Sequence, residues 1–486
     1  MLAPAKLTCS MVSSKTYIGR LFMKKKIVSL LTAVTLVASM LVGCGGNAKT
    51  ENTTGASKAE KTADADATTD AGAGGEVDVN EDGTVNNPES VKVEDGKLVF
   101  WSLFGGGDGA FMDKIIEDHN NGDSKMDVQS IMLVWADYYT KLQTAVAAGK
   151  GPDIGASHVS KLSELVEQGV VVPIDDYLDQ LGVDLSKLYS PTSIDSVTFD
   201  GATYAIPLDT HAEILYANTD IMEKAGVTLN ADGQLDITNV DEFKAILDKI
   251  KAVIPDDGST IAITNAGDDP YRLWWAVYFQ MGGSGLVNDE GTEVTLDTET
   301  AIKAAEFVKS LYDDGYIKEG IDDHQAFFQS GKAGLCIGGT WATGAFEGTE
   351  GLKFEAQAFP QLFENAACWA DSHSLIIPYN KERTEEETLA AVEFIVNVSG
   401  NGGAIWAKSG QIPSNLAVLE SEEYKALPYR SGYKSELDKA VMPTKNANFY
   451  AMKAGIIGSL DGVWTGQVDA ATAVDYIKSE LETNLN

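Results

Sequence analysis

The sequence predicts an α/β protein of two lobes, and three features carry that expectation. The chain has 486 residues, 44% of them hydrophobic and 22% charged, which is more than a single hydrophobic core usually serves. From Lys97 onward, apolar runs of strand length alternate with segments of helical period. After residue 200 a second set of strand-like runs follows, so a second sheet is expected beyond the first.

Taken in order, Leu98 to Leu103 reads as a strand, and Phe111, Ile115 and His119 share the face of the helix behind it, beside Met112 and Ile116. Met126 to Val134 is a second strand, and Tyr138, Leu142 and Val146 form the stripe of a second helix. Gly151-Pro152-Asp153-Ile154 opens a third strand, and Lys161 to Gln168 is a helix closed by Gly169. This βαβαβ order implies right-handed crossovers in a mostly parallel sheet, with ligand loops at the strands' C-terminal ends. Tyr204 to Leu208 and Ile214 to Tyr216 form an extended apolar ribbon. Helices are expected at Val240 to Lys251 and Ala301 to Asp314, and a second sheet is expected to hold Ile261 to Thr264 and Ala333 to Gly338. After Leu375-Ile376-Ile377-Pro378 the chain turns mainly helical, at Glu385 to Val398, Ala404 to Lys408 and Asp469 to Leu481.

The N-terminal region has a different character. Residues 1–43 hold six basic residues and no Asp or Glu, then turn apolar from Ile27 to Val42. That is the pattern of a signal peptide, too short and too rich in Ser and Thr for a membrane span. Met23-Lys24-Lys25-Lys26 is a more natural start than Met1, so residues 1–22 read as an extension. Gly45 to about Gly96 is mostly Gly, Ala, Thr, Asp, Glu and Asn without one aromatic residue, the composition of a disordered tether. Losing the six basic residues with the signal takes the formal charge from −35 to −41. Such a surface repels nucleic acid and anionic ligands.

The glycine-rich turn after the first strand raises the question of a nucleotide, because Gly105, Gly107 and Ala110 match a G-x-G-x-x-A spacing. Asp108 stands in the middle of it, where a carboxylate repels phosphate. Flexible amides and one carboxylate suit neutral hydroxyls better. No G-x-S-x-G elbow, H-E-x-x-H helix or P-loop occurs. The five histidines, at 119, 158, 211, 324 and 373, show no chelating spacing, so no metal and no cofactor is expected. Cys336 and Cys368 lie in apolar, strand-like runs, and spacing leaves open whether they are two buried thiols or a disulfide.

Aromatic residues recur where ligand loops are expected: Trp101, Trp135, Tyr138, Trp274, Trp275, Trp341 and Trp369. Asp108, Asp137, His158, Asp209, His211 and His373 stand close by in sequence. Flat π-faces against C–H surfaces, with carboxylates and imidazoles taking hydroxyls, are the chemistry of sugar recognition.

Several stretches in order carry a resemblance: Leu41-Val42-Gly43-Cys44, which resembles a bacterial lipobox, "LVFWSLFGGGDGAFMDKIIEDHN", "VQSIMLVWADYYTKLQTAVAAGKGPDIGASH", "GATYAIPLDTHAEILYAN", "GKAGLCIGGTWATGAF" and "ADSHSLIIP". Together they resemble the family 1 extracellular solute-binding proteins, the maltose-binding-protein-like carbohydrate-binding components of ABC importers.

The resemblance implies a two-lobed periplasmic-binding-protein-like fold, each lobe a β-sheet flanked by helices, with the ligand cleft between lobes. It places the signal peptide at 1–43, a lipidated Cys44 and tether at 44–96, the N-lobe at 97–210 and 358–400, and the C-lobe at 211–357 and 401–486. Crossings are expected near Pro207 to Tyr216, Leu352 to Pro360 and Gly400 to Ala404. Carried over by position, the ligand contacts are Trp101, Asp108, Trp135, Asp137, Tyr138, His158, Asp209, His211, Trp274, Trp341, Ser372, His373 and Gln411. Trp341 matches the family's sugar-stacking tryptophan, although the common "NGPW" appears here as Gly338-Gly339-Thr340-Trp341. The implied function is non-enzymatic: a monomer, lipid-anchored through Cys44 on the extracellular face of a bacterial membrane, captures an oligosaccharide and delivers it to ABC permease subunits. Nucleic acid is not an expected partner. The alternatives are a cell-surface glycoside hydrolase with an aromatic-lined cleft and a sugar-sensing receptor component.

Overall fold

The computed structural model describes residues 79–80, 83–288 and 290–485. The signal segment and Cys44 lie outside them. The first sheet orders its strands Val128–Met132, Leu98–Ser102, Ile154–His158, His373–Ile376 and Ala205–Pro207. The first three are parallel and the last two antiparallel to their neighbours. Helices Gly109–Asn120, Trp135–Ala147 and Val159–Glu167 each follow one of the parallel strands, as the alternating periods predict. Phe100, Leu142, Ile154, Leu162, Leu375 and Ile395 are fully buried in this lobe's core.

The second sheet is built around the ten-residue strand Asp209–Asn218. Ala333–Gly339 and Cys368–Asp371 pair with it, Ser259–Ala262 and Ala440–Val441 extend the sheet on either side, and Phe354–Ala358 and Ile412–Pro413 pair with parts of the central strand. Side chains alternate across this strand. Leu215 and Ala217 therefore join a core with Leu247, Trp274, Val308, Leu460 and Ile477. Ile214 and Tyr216 join another with Phe328, Phe346 and Tyr433 on the opposite face.

Among the described residues, three crossings join the lobes. The first passes through Leu208, between the strands Ala205–Pro207 and Asp209–Asn218, inside the expected window. The second lies at Ser372 rather than near residues 352–360: Ala370 and Asp371 pair with Ala212 and His211 in the second sheet, whereas His373 and Ser374 pair in the first. Phe354–Ala358 is not the crossing but another strand of the second sheet. The third follows helix Gly403–Lys408, whose Trp406 is buried in the first core, and reaches Ile412–Pro413 in the second sheet. It therefore falls later than Gly400 to Ala404. Apolar content does not differ between strands of the two sheets, so sequence pattern places the strands but not the change of sheet.

Two further differences have clear causes. Residues 83–96, expected as tether, lie partly against the first lobe: the Val85 N–H donates to the Met132 carbonyl at 2.7 Å, and the Val85 side chain is buried. Thr84 and Pro88 are buried beside it and Gln129 bonds the backbone of Lys92 and Glu94, so a few contacts anchor a segment whose composition alone reads as unstructured. Helices Asp268–Gln280 and Phe449–Trp464 were not foreseen. The first buries Tyr271, Leu273, Trp274, Trp275, Ala276, Val277 and Tyr278, and a helix that is apolar all round shows no 3.6-residue stripe. Among the described residues no helix is long and apolar enough to cross a membrane.

Cys336 and Cys368 are both buried and free, and burial pushes each thiol well above its ordinary range. Iodoacetamide with peptide mass spectrometry is expected to leave both unmodified in the folded protein and to alkylate both in urea. A Cys336–Cys368 disulfide peptide would contradict this.

Candidate functional site

A cavity of about 480 Å³ lies between the two sheets. Its first-lobe wall is the loop after the first strand, including Gly105, Gly106 and Asp108, together with Trp135 and His158. Its second-lobe wall comprises Asp268, Asp269, Arg272, His324, Gln325, Trp341 and Trp369, and His211 and His373 enter from the crossing strands.

The wall around Trp341 depends on close backbone approach. A Cβ at Gly339 would meet the Trp341 ring at 1.9 Å, and one at Gly106 would meet it at 3.0 Å. The absent side chains let the ring lie between the two lobes. Gln325 bridges them too, in the amide orientation that satisfies both groups: its oxygen accepts from Trp341 Nε1 at 2.9 Å and its nitrogen donates to the Gly106 carbonyl at 3.3 Å. The Arg272 guanidinium sits 4.9 Å from the Trp341 ring centre and 4.6 Å from that of Trp369, a cation–π arrangement. Arg272 Nη1 pairs with Asp269 Oδ1 at 3.0 Å, and Asp269 Oδ2 faces His324 Nδ1 at 2.8 Å. Burial alone would raise Asp269, but His324 and Arg272 outweigh it and hold the carboxyl down at about 2.

At the cavity floor, Asp209 is wholly buried and accepts four hydrogen bonds. Oδ1 takes the backbone N–H of His373 at 3.1 Å and faces His211 Nδ1 at 3.1 Å. Oδ2 faces His373 Nδ1 at 2.9 Å and accepts from Trp406 Nε1 at 2.8 Å. Burial opposes ionisation, yet His373 and the other donors hold Asp209 far below the usual carboxylate range. His158 Nδ1 lies 2.7 Å from the Tyr139 hydroxyl. One ring nitrogen from each of His158, His211 and His373 lies within 4.8 Å of the other two. Burial, with the charge of His373, pulls His158 and His211 below the ordinary imidazole value. Burial opposes the charged form of His373 as well, but Asp209 raises it.

Of the sequence-predicted residues, Asp108, Trp135, His158, His211, Trp341 and His373 line the cavity. Two stand directly behind its wall: Asp209, and Gln411, whose Nε2 donates to Asp108 Oδ2 at 3.1 Å while its Oε1 accepts from Thr340 Oγ1 at 2.9 Å. Ser372 is buried at the second crossing, its hydroxyl 3.2 Å from that of Thr210. The structure places the others elsewhere. Trp101 is a core residue, Tyr138 is fully buried with its hydroxyl donating to the Ala156 carbonyl at 2.7 Å, and Trp274 is fully buried and donates to the Ala301 carbonyl. Asp137 pairs with Lys141 on the exposed face of its helix. Apolar packing claimed these rings, and sequence position alone does not distinguish a strand-end aromatic that turns inward. The scattered histidines are likewise corrected in part, since three of five converge although 53 and 162 residues separate them. Sequence reasoning missed Asp268, Asp269, Arg272, His324 and Gln325. A charged cluster within "DDPYR", in an otherwise aromatic run, was the available signal.

Four polar atoms of cavity-lining residues are buried without a hydrogen bond, Asp108 Oδ1, Asp268 Oδ1, Arg272 Nε and His324 Nε2, and of these Asp268 Oδ1 is ion-paired with Lys453. Asp108 also titrates unusually, because burial raises its carboxyl from 3.8 to about 6. Between those values the folded chain holds a proton that the unfolded chain has released, so stability falls as pH rises through this window and stays lowered above it. Asp108→Asn is therefore expected to be more stable than the parent by about 1–3 kcal/mol near pH 8 in urea unfolding, and equal to it near pH 4. A difference that does not change with pH would contradict this assignment.

Comparison with known proteins gives this geometry a lineage. A family model described as bacterial extracellular solute-binding protein matches residues 113–431. A protein of Brucella abortus named as a candidate binding protein is 27% identical over 271 residues, 54% of this chain and 63% of its own length, so the chain spans less than two thirds of that relative. A maltotriose-binding protein of Pyrococcus abyssi is 21% identical over 350 residues, 69% of this chain and 71% of that protein. Among solved structures, an ABC substrate-binding protein from Listeria monocytogenes in complex with cycloalternan superposes with a TM-score of 0.69 at 18% identity, covering 80% of this chain and 98% of that one. That likeness establishes the two-lobed fold with its cleft. With a matching family model over residues 113–431, this chain belongs to the bacterial extracellular solute-binding proteins.

Proposed function

We propose that this protein captures an oligosaccharide in the cleft between its lobes and delivers it to the permease subunits of an ABC importer. The observation that carries the reading is the lining of the cavity: Trp135, Trp341 and Trp369 stand among Asp108, Arg272 and His324, each of which holds a buried polar atom without a partner. Indole surfaces suit the C–H faces of sugars, and such donors and acceptors suit hydroxyls. The cavity volume falls within the roughly 300–1,000 Å³ of small-molecule sites. Two of the matched proteins bear sugar-binding names or ligands, maltotriose and cycloalternan, which supports the same ligand class here.

The reaction is capture without covalent chemistry. The relatives named above are binding proteins, and Asp209 and His211, the one Asp–His pair that superficially suggests a catalytic couple, are tied to each other and to Trp406 and His373 in the floor of the cleft. Closure then converts binding into a shape that a transporter reads, since only the liganded, closed form presents both lobes together. The N-terminal pattern completes the proposal: cleavage before Cys44 and its lipidation hold a monomeric protein at the outer face of the cell membrane.

Three outcomes are expected. In a melting screen against mono- and oligosaccharides, one saccharide family raises the melting temperature and no product forms; release of product would favour the hydrolase. Trp341→Ala weakens that saccharide by about 1–3 kcal/mol in calorimetry while remaining folded, and unchanged affinity would remove Trp341 from the binding surface. Cys44→Ser moves the protein from the membrane fraction to the soluble one; continued membrane retention would argue against lipid anchoring.

A further inference from the structure

We propose that His158, His211 and His373 form a binding site for a divalent first-row transition metal, zinc foremost, at the floor of the cleft. This goes beyond the saccharide reading and does not depend on it.

The fold brings the three rings together by strand register. His158 ends its strand directly opposite His373 in the antiparallel pair, and His211 lies opposite Asp371, two residues before His373. The ring centres are 4.1 Å apart for His211 and His373, 4.8 Å for His158 and His373, and 5.4 Å for His158 and His211. One nitrogen of each lies within 4.8 Å of the others. Metal–nitrogen bonds of about 2.0–2.1 Å place tetrahedral imidazole nitrogens about 3.3 Å apart. The His211 and His373 rings, 4.1 Å apart at an interplanar angle of 31°, would have to part and tilt for both to direct a lone pair at one ion.

The outer contacts favour the nitrogens that a metal needs. The Asp209 carboxylate can only accept, so it takes the Nδ1–H of both His211 and His373. That tautomer leaves Nε2 as the free nitrogen of each neutral ring. The Tyr139 hydroxyl lies 2.7 Å from His158 Nδ1 and accepts the His158 backbone N–H; with Nδ1–H donated to it as well, Nε2 of His158 is the free nitrogen. No described residue hydrogen-bonds Nε2 of any of the three rings. Carboxylate or hydroxyl behind, free imidazole nitrogen in front, is the arrangement that orients histidine ligands for a metal. Three imidazole ligands, neutral once bound, suit zinc, copper, nickel or iron rather than magnesium or calcium.

Charge and shape agree. A divalent ion would lie near two buried acidic side chains, Asp209 and Asp108, and Asp108 Oδ1 has no partner. All three histidines also line the cavity, so the remaining coordination position opens toward the solute. Three protein ligands with one open position is a recognised zinc arrangement. The ligands come from the first sheet and from both crossing strands, so an ion here fastens the place where the lobes turn.

The test uses the intact protein in detergent without a polyhistidine tag, stripped with EDTA and freed of chelator. It is titrated with Zn²⁺ against a chromophoric chelator and with Co²⁺ by visible absorption. The expected result is one ion per chain, with a saturable cobalt band. Affinity falls at least tenfold in His211→Gln and in His373→Gln, is retained in His119→Gln, and circular dichroism stays unchanged. Should a ligand variant unfold, the parent's cobalt spectrum still decides. Absence of a saturable band, or equal loss in His119→Gln, overturns the site. Saccharide melting shifts recorded on the stripped protein judge the carbohydrate reading separately, so either proposal can fail alone.

Discussion

The buried carboxylate of Asp209 is the constraint on which the rest of the architecture depends. It stands at the first residue of the central strand of the second sheet, one residue beyond the first crossing. There it binds His211 on its own strand, His373 beyond the second crossing, and Trp406 on the helix before the third. An ionised group with no exposure would be costly alone, and four donors offset that cost. One side chain thereby ties together all three connections between the lobes. Removing it would leave two imidazoles and an indole N–H without their acceptor in the interior.

That arrangement has a consequence for capture. The crossings are short, at Leu208, Ser372 and Ser409 to Gln411, and share a common anchor. The contacts farther up the cleft are of another kind. Gln325 to Gly106, Gln411 to Asp108 and the Trp341 ring against Gly106 join the two walls through single polar or van der Waals contacts, each worth little. The lobes also meet beside the cleft, where Tyr450 of helix Phe449–Trp464 packs against the first core and the Ser160 N–H donates to Asp371, so opening has to break these contacts too. A solute that touches both walls then shifts the population toward the closed form by as much as its affinity differs between the two states.

Much of this was legible in the sequence, for reasons that also explain what was not. The parallel strands and their helices around Leu98, Val128 and Ile154 follow from periods of two and 3.6. The loop carrying Asp108 and the position of Trp341 after a strand could be placed from local pattern and from the ordered motifs. Sheet membership could not, because Cys368–Asp371 and His373–Ile376 both mix apolar with polar residues and only one residue separates them. Helix Asp268–Gln280 escaped because burial on all sides erases its stripe, and Arg272 and His324 escaped with their surroundings. Trp101, Tyr138 and Trp274 show the converse: an aromatic residue near a strand end or helix start reads the same whether its ring faces a solute or the core. The histidine trio illustrates the sharpest limit, since strand register and not sequence spacing brings residues 158, 211 and 373 together.

The most direct test of a capturing cleft is small-angle X-ray scattering of the protein with and without a saturating solute. A lower radius of gyration on binding, with the curve moving from an open to a closed two-lobed form, is the result this account predicts. An unchanged curve with a solute that demonstrably binds would contradict closure around the Asp209 anchor and leave a rigid pocket in its place.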